Sequence, residues 1–211
     1  MRDLPRVACR LHRRRGLCAA LAALAAACLL SRPSAAQDCP TAQSGARGFV
    51  VERNESQKSE VYHAGDGIVR VVTRYGGETL LETTLYEGLF LLERLDRGRR
   101  TKFDPRTELK TLFPLKPGAQ LHAKFVTESD GNFGRLYVEL DVRKPEDFFI
   151  GPCKYTVLRI DRLESRSAVP PQSVYADLYS PDLELVLGRE YKHQDGQTQV
   201  IKYDRIYPLK H

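Results

Sequence analysis

The residues able to do chemistry in this chain are few, and most of them stand alone. The five cysteines are Cys9, Cys18, Cys28, Cys39 and Cys153. No two form a Cys-x-x-Cys pair, so no redox-enzyme signature is present. The histidines beyond the N-terminal segment are His63, His122, His193 and His211. None lies three or four residues from another, so none reads as half of a metal pair. There is no Gly-x-Ser-x-Gly elbow, no His-Glu-x-x-His and no phosphate-binding glycine loop. The sequence offers no catalytic, cofactor-binding or metal-ligating set, and no cofactor is expected.

Weaker candidates remain. Glu139, Asp141 and Asp161 could pair for acid–base work, but on strands they read as outward carboxylates facing nearby arginines. Tyrosine is abundant, at ten residues against no tryptophan. Tyr75, Tyr86, Tyr175, Tyr179, Tyr191, Tyr203 and Tyr207 lie on or beside strand-like runs. Such amphipathic rings either finish the edges of a β-domain or line a ligand groove. Asn54-Glu55-Ser56 fits a glycosylation acceptor, which matters only in a eukaryotic secretory pathway, whereas the chain reads as bacterial.

The N-terminus explains most of the charge. Residues 1–36 read as a secretory signal peptide. An arginine-rich start (Arg2, Arg6, Arg10, Arg13, Arg14, Arg15) precedes the apolar run LCAALAALAAACLL, residues 17–30. Ser34-Ala35-Ala36 then sets small residues before a cut at Gln37. The run of about 14 residues is short of the ~20 that span a bilayer. No second long apolar stretch follows, so no transmembrane segment is expected after cleavage. Two variants stay open: Arg14-Arg15 as a twin-arginine signal, and Ala25-Ala26-Ala27-Cys28 as a lipoprotein box with Cys28 lipidated. Seven arginines and one aspartate lie in this segment, so residues 37–211 hold 26 basic and 26 acidic residues. The net charge of +6 belongs to the export signal. Nucleic-acid binding needs a concentrated positive field, and a neutral domain gives no support for one. The local cluster RLDRGRR, residues 94–100, contains Asp96 and is followed by Asp104, as in a solvated turn.

Export also bears on the cysteines. Cys9, Cys18 and Cys28 leave with the signal, and Cys39 and Cys153 remain. Two thiols in an oxidising compartment usually pair, and a Cys39–Cys153 disulfide would tie the N-terminus to the body of the domain. The expected location is periplasmic or secreted.

The elements that would position these residues are strands. Residues 37–211 suit a single β-rich domain. Residues 68–74, 78–86, 89–95, 155–162, 183–191 and 198–207 are strand-like. Residues 135–142 alternate cleanly, with Leu136, Val138, Leu140 and Val142 on one face and Tyr137, Glu139 and Asp141 on the other. In residues 155–162, Thr156, Leu158 and Ile160 share a face, while Arg159, Asp161 and Arg162 break the apolar run. Gly76-Gly77, Asp130-Gly131 and Asp195-Gly196 read as hairpin turns, and Asp66-Gly67 as a further turn. Prolines 114, 117, 145, 152, 170, 171 and 181 read as connections. Residues 104–112 read as a short helix or turn capped by Asp104. The expected fold is all-β and mainly antiparallel: eight to ten strands in a curled sheet, open barrel or sandwich, with at most a short helix.

Two segments, FPLKPGAQLHAKF (113–125) and GPCKYTVLRIDRLE (151–164), are followed by Tyr179-Ser180-Pro181-Asp182-Leu183. Together they resemble exported bacterial β-domain proteins of unknown function, the TapB-like domains and their kin. In those, a proline-glycine turn precedes a strand, a glycine-led strand follows, and a Tyr-Ser-Pro segment opens a later one. Here His122 and Phe125 stand where relatives tend to carry Trp or Tyr, and Cys153 replaces a small or polar residue. The resemblance covers residues 113–207 and brings no catalytic residues with it.

Three functions are consistent with these readings. The first is a non-catalytic envelope module binding a small apolar ligand or an envelope protein. The second is a hydrolase whose active residues are scattered in sequence. The third is a structural or assembly protein with no ligand.

Overall fold

The computed structural model describes residues 38–166, 173–192 and 195–209. The segment expected to be a signal peptide, with its expected cleavage site, and His193 and His211 lie outside them. The described chain is one antiparallel sheet of 13 strands with very little helix. The strands are β1 (Phe49–Arg53), β2 (Gln57–His63), β3 (Ile68–Tyr75), β4 (Glu78–Tyr86), β5 (Phe90–Asp96), β6 (Arg99–Pro105), β7 (Gln120–Ser129), β8 (Asn132–Ile150), β9 (Cys153–Arg166), β10 (Ser173–Ser180), β11 (Leu185–Lys192), β12 (Thr198–Lys202) and β13 (Arg205–Pro208). Their order is β12-β11-β10-β9-β8-β7-β6-β5-β4-β3-β2-β1-β13.

All but one of the joints in that order connect sequence neighbours, because tight turns leave a strand nowhere to pair but beside its predecessor. Asp130-Gly131 and Gly76-Gly77 both adopt positive φ at two successive residues, the geometry whose twist matches a two-residue hairpin. Arg97-Gly98 does the same, so the basic cluster at 94–100 is a hairpin tip. The exception is β13. Residues 198–207 read as one strand, but they form β12 at one edge and, after Tyr203-Asp204, β13 at the other. Three peptide units separate Lys202 from Arg205, so the two edges stand within about 11 Å of each other there. The sheet must therefore curl almost fully round. No ladder joins β12 to β13 among the described residues, so the curl stays open.

Within the β8–β9 hairpin the buried face changes sides. Val157 and Leu158 are adjacent and both buried, so they point to opposite faces. Cys153, Tyr155 and Val157 enter one core with Phe49, Val61, Ile150, Leu183 and Ile206. Leu158 and Ile160 enter a second with Phe90, Phe125 and Leu136 to Val142. On β8 the switch is made by a bulge: Val142 opposes Ile160 and Pro145 opposes Leu158, so one extra residue is inserted between them. An extra residue turns the strand over. Pro145 thus lies inside a strand, not in a connection. A bulge is where a residue without an N–H is tolerated. The alternation read at 135–142 holds: Leu136, Val138, Leu140 and Val142 are 8% exposed or less, while Glu139 is exposed. Thr156, assigned the face of Leu158 and Ile160, is exposed, because at its level the covered face is the other one.

The short helix or turn expected at 104–112 is confined to its second half, and Asp104 does not cap it. Asp104 and Pro105 end β6, opposite Val126 and Phe125, and only a 3-10 turn, Leu109–Leu112, follows. The ladder to β7 supplies hydrogen bonds that an isolated helical turn cannot match. A short helix, α1 (Ala42–Gly45), lies elsewhere, started by a reciprocal Thr41–Ser44 capping box. Just before it, Cys39 is bonded to Cys153, the first residue of β9. This disulfide pins the N-terminal segment to the first core.

Candidate functional site

The curled sheet borders a half-open cavity of about 540 Å³, within the ~300–1,000 Å³ usual for small-molecule sites. Its walls come from strands all round the curl. Leu81 and Leu85 of β4, Leu91 of β5, Leu136 and Val138 of β8 and Leu187 of β11 give it an aliphatic lining. Ser59 and Thr73 also line it, and each satisfies the other through a 2.9 Å hydroxyl bond.

One wall is charged. Strand register sets Arg162 opposite Tyr175, Asp177 opposite Arg189, and Tyr175 opposite Tyr191. Residues in register share a face, so β9, β10 and β11 project these five side chains to the same side. Asp177 is 0% exposed. One carboxylate oxygen accepts from Arg189 Nε at 2.7 Å and the other from Arg162 Nη1 at 3.2 Å. Arg162 is itself buried. It donates through Nε to Glu164 at 2.8 Å and through Nη1 to the Leu89 carbonyl at 3.2 Å, and it lies over the Phe90 ring. The Tyr175 hydroxyl donates to the same Glu164 oxygen, and Arg189 stacks on the Tyr175 ring at 4.9 Å. Burial works against both guanidinium charges, but Asp177 and the surrounding groups outweigh it, so both pKa values stand above normal. Burial also pushes the Tyr175 phenol up. Both arginines are thus fixed cations, and the phenol remains a neutral donor.

A second titratable group surrounds the β4–β5 turn. Burial, reinforced by nearby Glu184 and opposed by His63, holds the Glu87 carboxyl above the usual carboxylate range. His63 Nε2 lies 3.6 Å from Glu184, and the Tyr179 hydroxyl donates to the Glu87 carbonyl at 2.8 Å. Packing accounts for this crowding. A Cβ on Gly88 would come 1.6 Å from the Glu184 carbonyl oxygen, so the Glu87-Gly88 turn is pressed against the Pro181–Glu184 turn as only glycine allows.

The sequence candidates fare unevenly. Asp141 and Asp161 face each other on β8 and β9, and Arg143 bridges them with contacts of 2.7 Å to each. They form a surface ion network. His122 opposes Glu139 on the outer side of β7 and β8, away from His63. Of the tyrosines, Tyr175, Tyr191 and Tyr203 line the cavity, Tyr179 is buried, and Tyr75 projects from a hairpin tip, 57% exposed. Sequence reading missed Asp177 and Arg189 altogether. For Arg162 a signal existed: a charge interrupting an apolar strand marks either an edge or a buried ion pair. Among the described residues no group of three or more His, Cys, Asp or Glu could hold a metal ion. No described helix is long and apolar enough to cross a membrane.

The chain matches no family model. No curated protein matches it either. Among solved structures it is similar to the hypothetical lipoprotein YmcC from Escherichia coli (K12), with 12% identity and a TM-score of 0.46, over 77% of this chain and 86% of that one. Pro117-Gly118 turns into β7, and Gly151-Pro152 leads into β9. Tyr179-Ser180, however, closes β10, and Pro181 begins the turn before β11.

Proposed function

We propose that this chain is an exported, non-catalytic module of the bacterial envelope that holds a small apolar ligand inside its curled sheet. The observation that carries the reading is the aliphatic cavity of about 540 Å³. A folding core is normally packed to crystal-like density, and a recess of this size leaves apolar side chains without the contacts that packing would give them. A binding role gives a reason for that loss. The Cys39–Cys153 disulfide supports export, since such bonds persist in oxidising compartments. Residues 1–36 would then be the cleaved signal and residues 37–211 the working domain. Kinship with the TapB-like domains is part of the same proposal, resting on residues 113–125 and 151–164.

The test is a titration with the neutral apolar dye N-phenyl-1-naphthylamine. Its fluorescence should rise on binding to the parent protein. Thr83→Trp, at a half-buried position on the cavity wall, should abolish the rise while leaving the fold intact. A parent protein that leaves the dye dark would sink the proposal. Native mass spectrometry of protein purified from its own envelope should in addition show a retained small molecule.

A further inference from the structure

Resting on that reading, we propose that the ligand is a single-chain amphiphile with an anionic head, and that Arg189 receives the head. Six cationic residues line the cavity: Arg53, Arg94, Arg162, Arg166, Arg189 and Lys202. Only one carboxylate, Glu164, joins them. Glu164 is already engaged by Arg162 and Tyr175. Outside the lining, Asp177 pairs with Arg162 and Arg189, and Asp96 with Arg94, which still leaves six cations against three carboxylates, although residues 37–211 are neutral overall.

Arg189 stands out within this set. Its Nε is held by Asp177 and its guanidinium plane by the Tyr175 ring, so its position is fixed. Its two terminal nitrogens make no hydrogen bond among the described residues. The side chain keeps 44% of its surface accessible, and it borders the cavity. Arg162 lies behind it, 6% exposed, with Nε held by Glu164 and Nη1 by Asp177 and the Leu89 carbonyl. The pattern is a two-tier wall: an inner ion pair that orients, and an outer, partly accessible guanidinium that borders the cavity. A wholly apolar occupant would strip water from that guanidinium and return nothing, at an energetic cost. A carboxylate or phosphate would meet it with paired charged hydrogen bonds, the geometry guanidinium favours. The aliphatic side chains of β4, β5 and β8 are left for the alkyl chain.

Dodecanoate, dodecyl phosphate and dodecanol share one chain and differ only in the head. Isothermal titration of the purified exported protein should show one or both anions binding about tenfold or more tighter than the alcohol, the scale of a charged hydrogen bond. A preference between the two anions identifies a carboxylate or a phosphate source. Arg189→Gln keeps a donor for Asp177 and removes the charge, and it should erase the anion preference without weakening dodecanol. Arg189→Lys should restore part of it. Should Arg189→Gln fail to fold, Arg53→Gln, which leaves no buried carboxylate unpaired, should lower the affinity for the anions and not for the alcohol. Dodecanol binding as tightly as both anions overturns this inference while leaving the binding module intact. Failure of all three to bind overturns both.

Discussion

The two parts of the β8–β9 hairpin bury side chains by different chemistry. Near the turn, Ile150, Cys153, Tyr155 and Val157 enter a core of aliphatic and aromatic groups sealed by a disulfide. Farther along, the opposite face is covered, and there Leu158 and Ile160 are followed by Arg162, bonded to the fully buried Asp177. Beyond that ion pair lies the cavity. The first region is built like the interior of any stable domain. The second contains features that lower stability in isolation, a buried charge network and unfilled space. Both features are understandable where a ligand must be received. The molecule thus places its structural anchor and its candidate site on opposite faces of the same two strands.

Breaking the anchor should have the largest effect. Replacing both Cys39 and Cys153 with serine opens a link between residues 114 apart. By loop-closure arguments this should cost roughly 3–5 kcal/mol, seen as a lower urea midpoint with an unchanged far-UV spectrum. Denatured, unreduced protein should show no free thiol at these positions. The contrasting change in the second region is Asp177→Ala, which leaves Arg162 buried without its carboxylate. It should cost about 3–5 kcal/mol. A loss below about 1 kcal/mol in urea unfolding would mean that water, rather than Asp177, neutralises that wall.

The core that joins the two regions gives a smaller contrast. Leu140→Ala should cost about 2–5 kcal/mol through lost burial and a residual cavity. Glu139→Ala, on the outer face of the same strand, should cost under about 1 kcal/mol. Equal losses would show that the inward face is wrongly assigned.

The smallest effect belongs to Glu87, at the turn packed against Pro181–Glu184. Its raised pKa means that the folded chain holds a proton more readily than the unfolded one. This disfavours folding once pH rises above the ordinary carboxylate range, and the penalty vanishes below it. Glu87→Gln should therefore raise the melting temperature slightly at pH 7 and leave it unchanged at pH 3.

Much of this was legible in the chain before any fold was known. Paired positive-φ turns at Gly76-Gly77 and Asp130-Gly131 announce hairpins, because few residues tolerate that backbone. The alternation from Leu136 to Val142 announces a half-buried strand, because slipping the register by one would bury carboxylates. Residues 153–166 were harder. A strand covered on one face and then on the other shows no single period, so Thr156 shares the face of Leu158 and Ile160 yet is exposed, and Arg162 reads only as an interruption. Residues 198–207 misled for a related reason: both halves are strand-like, and nothing local distinguishes a strand that continues from one that crosses to the far edge.

The sequence by itself determined the class of the fold and its hairpins, since backbone preference acts locally, and it pointed to the pairing of Cys39 with Cys153 that the structure shows. Only the tertiary structure decided that the sheet curls until its edges nearly meet, and that Asp177 joins Arg162 and Arg189 behind a cavity wall. Those three residues come from three strands, spaced 15 and 12 residues apart. Their meeting depends on hydrogen-bond register between strands, a property of the assembled sheet that no single segment carries.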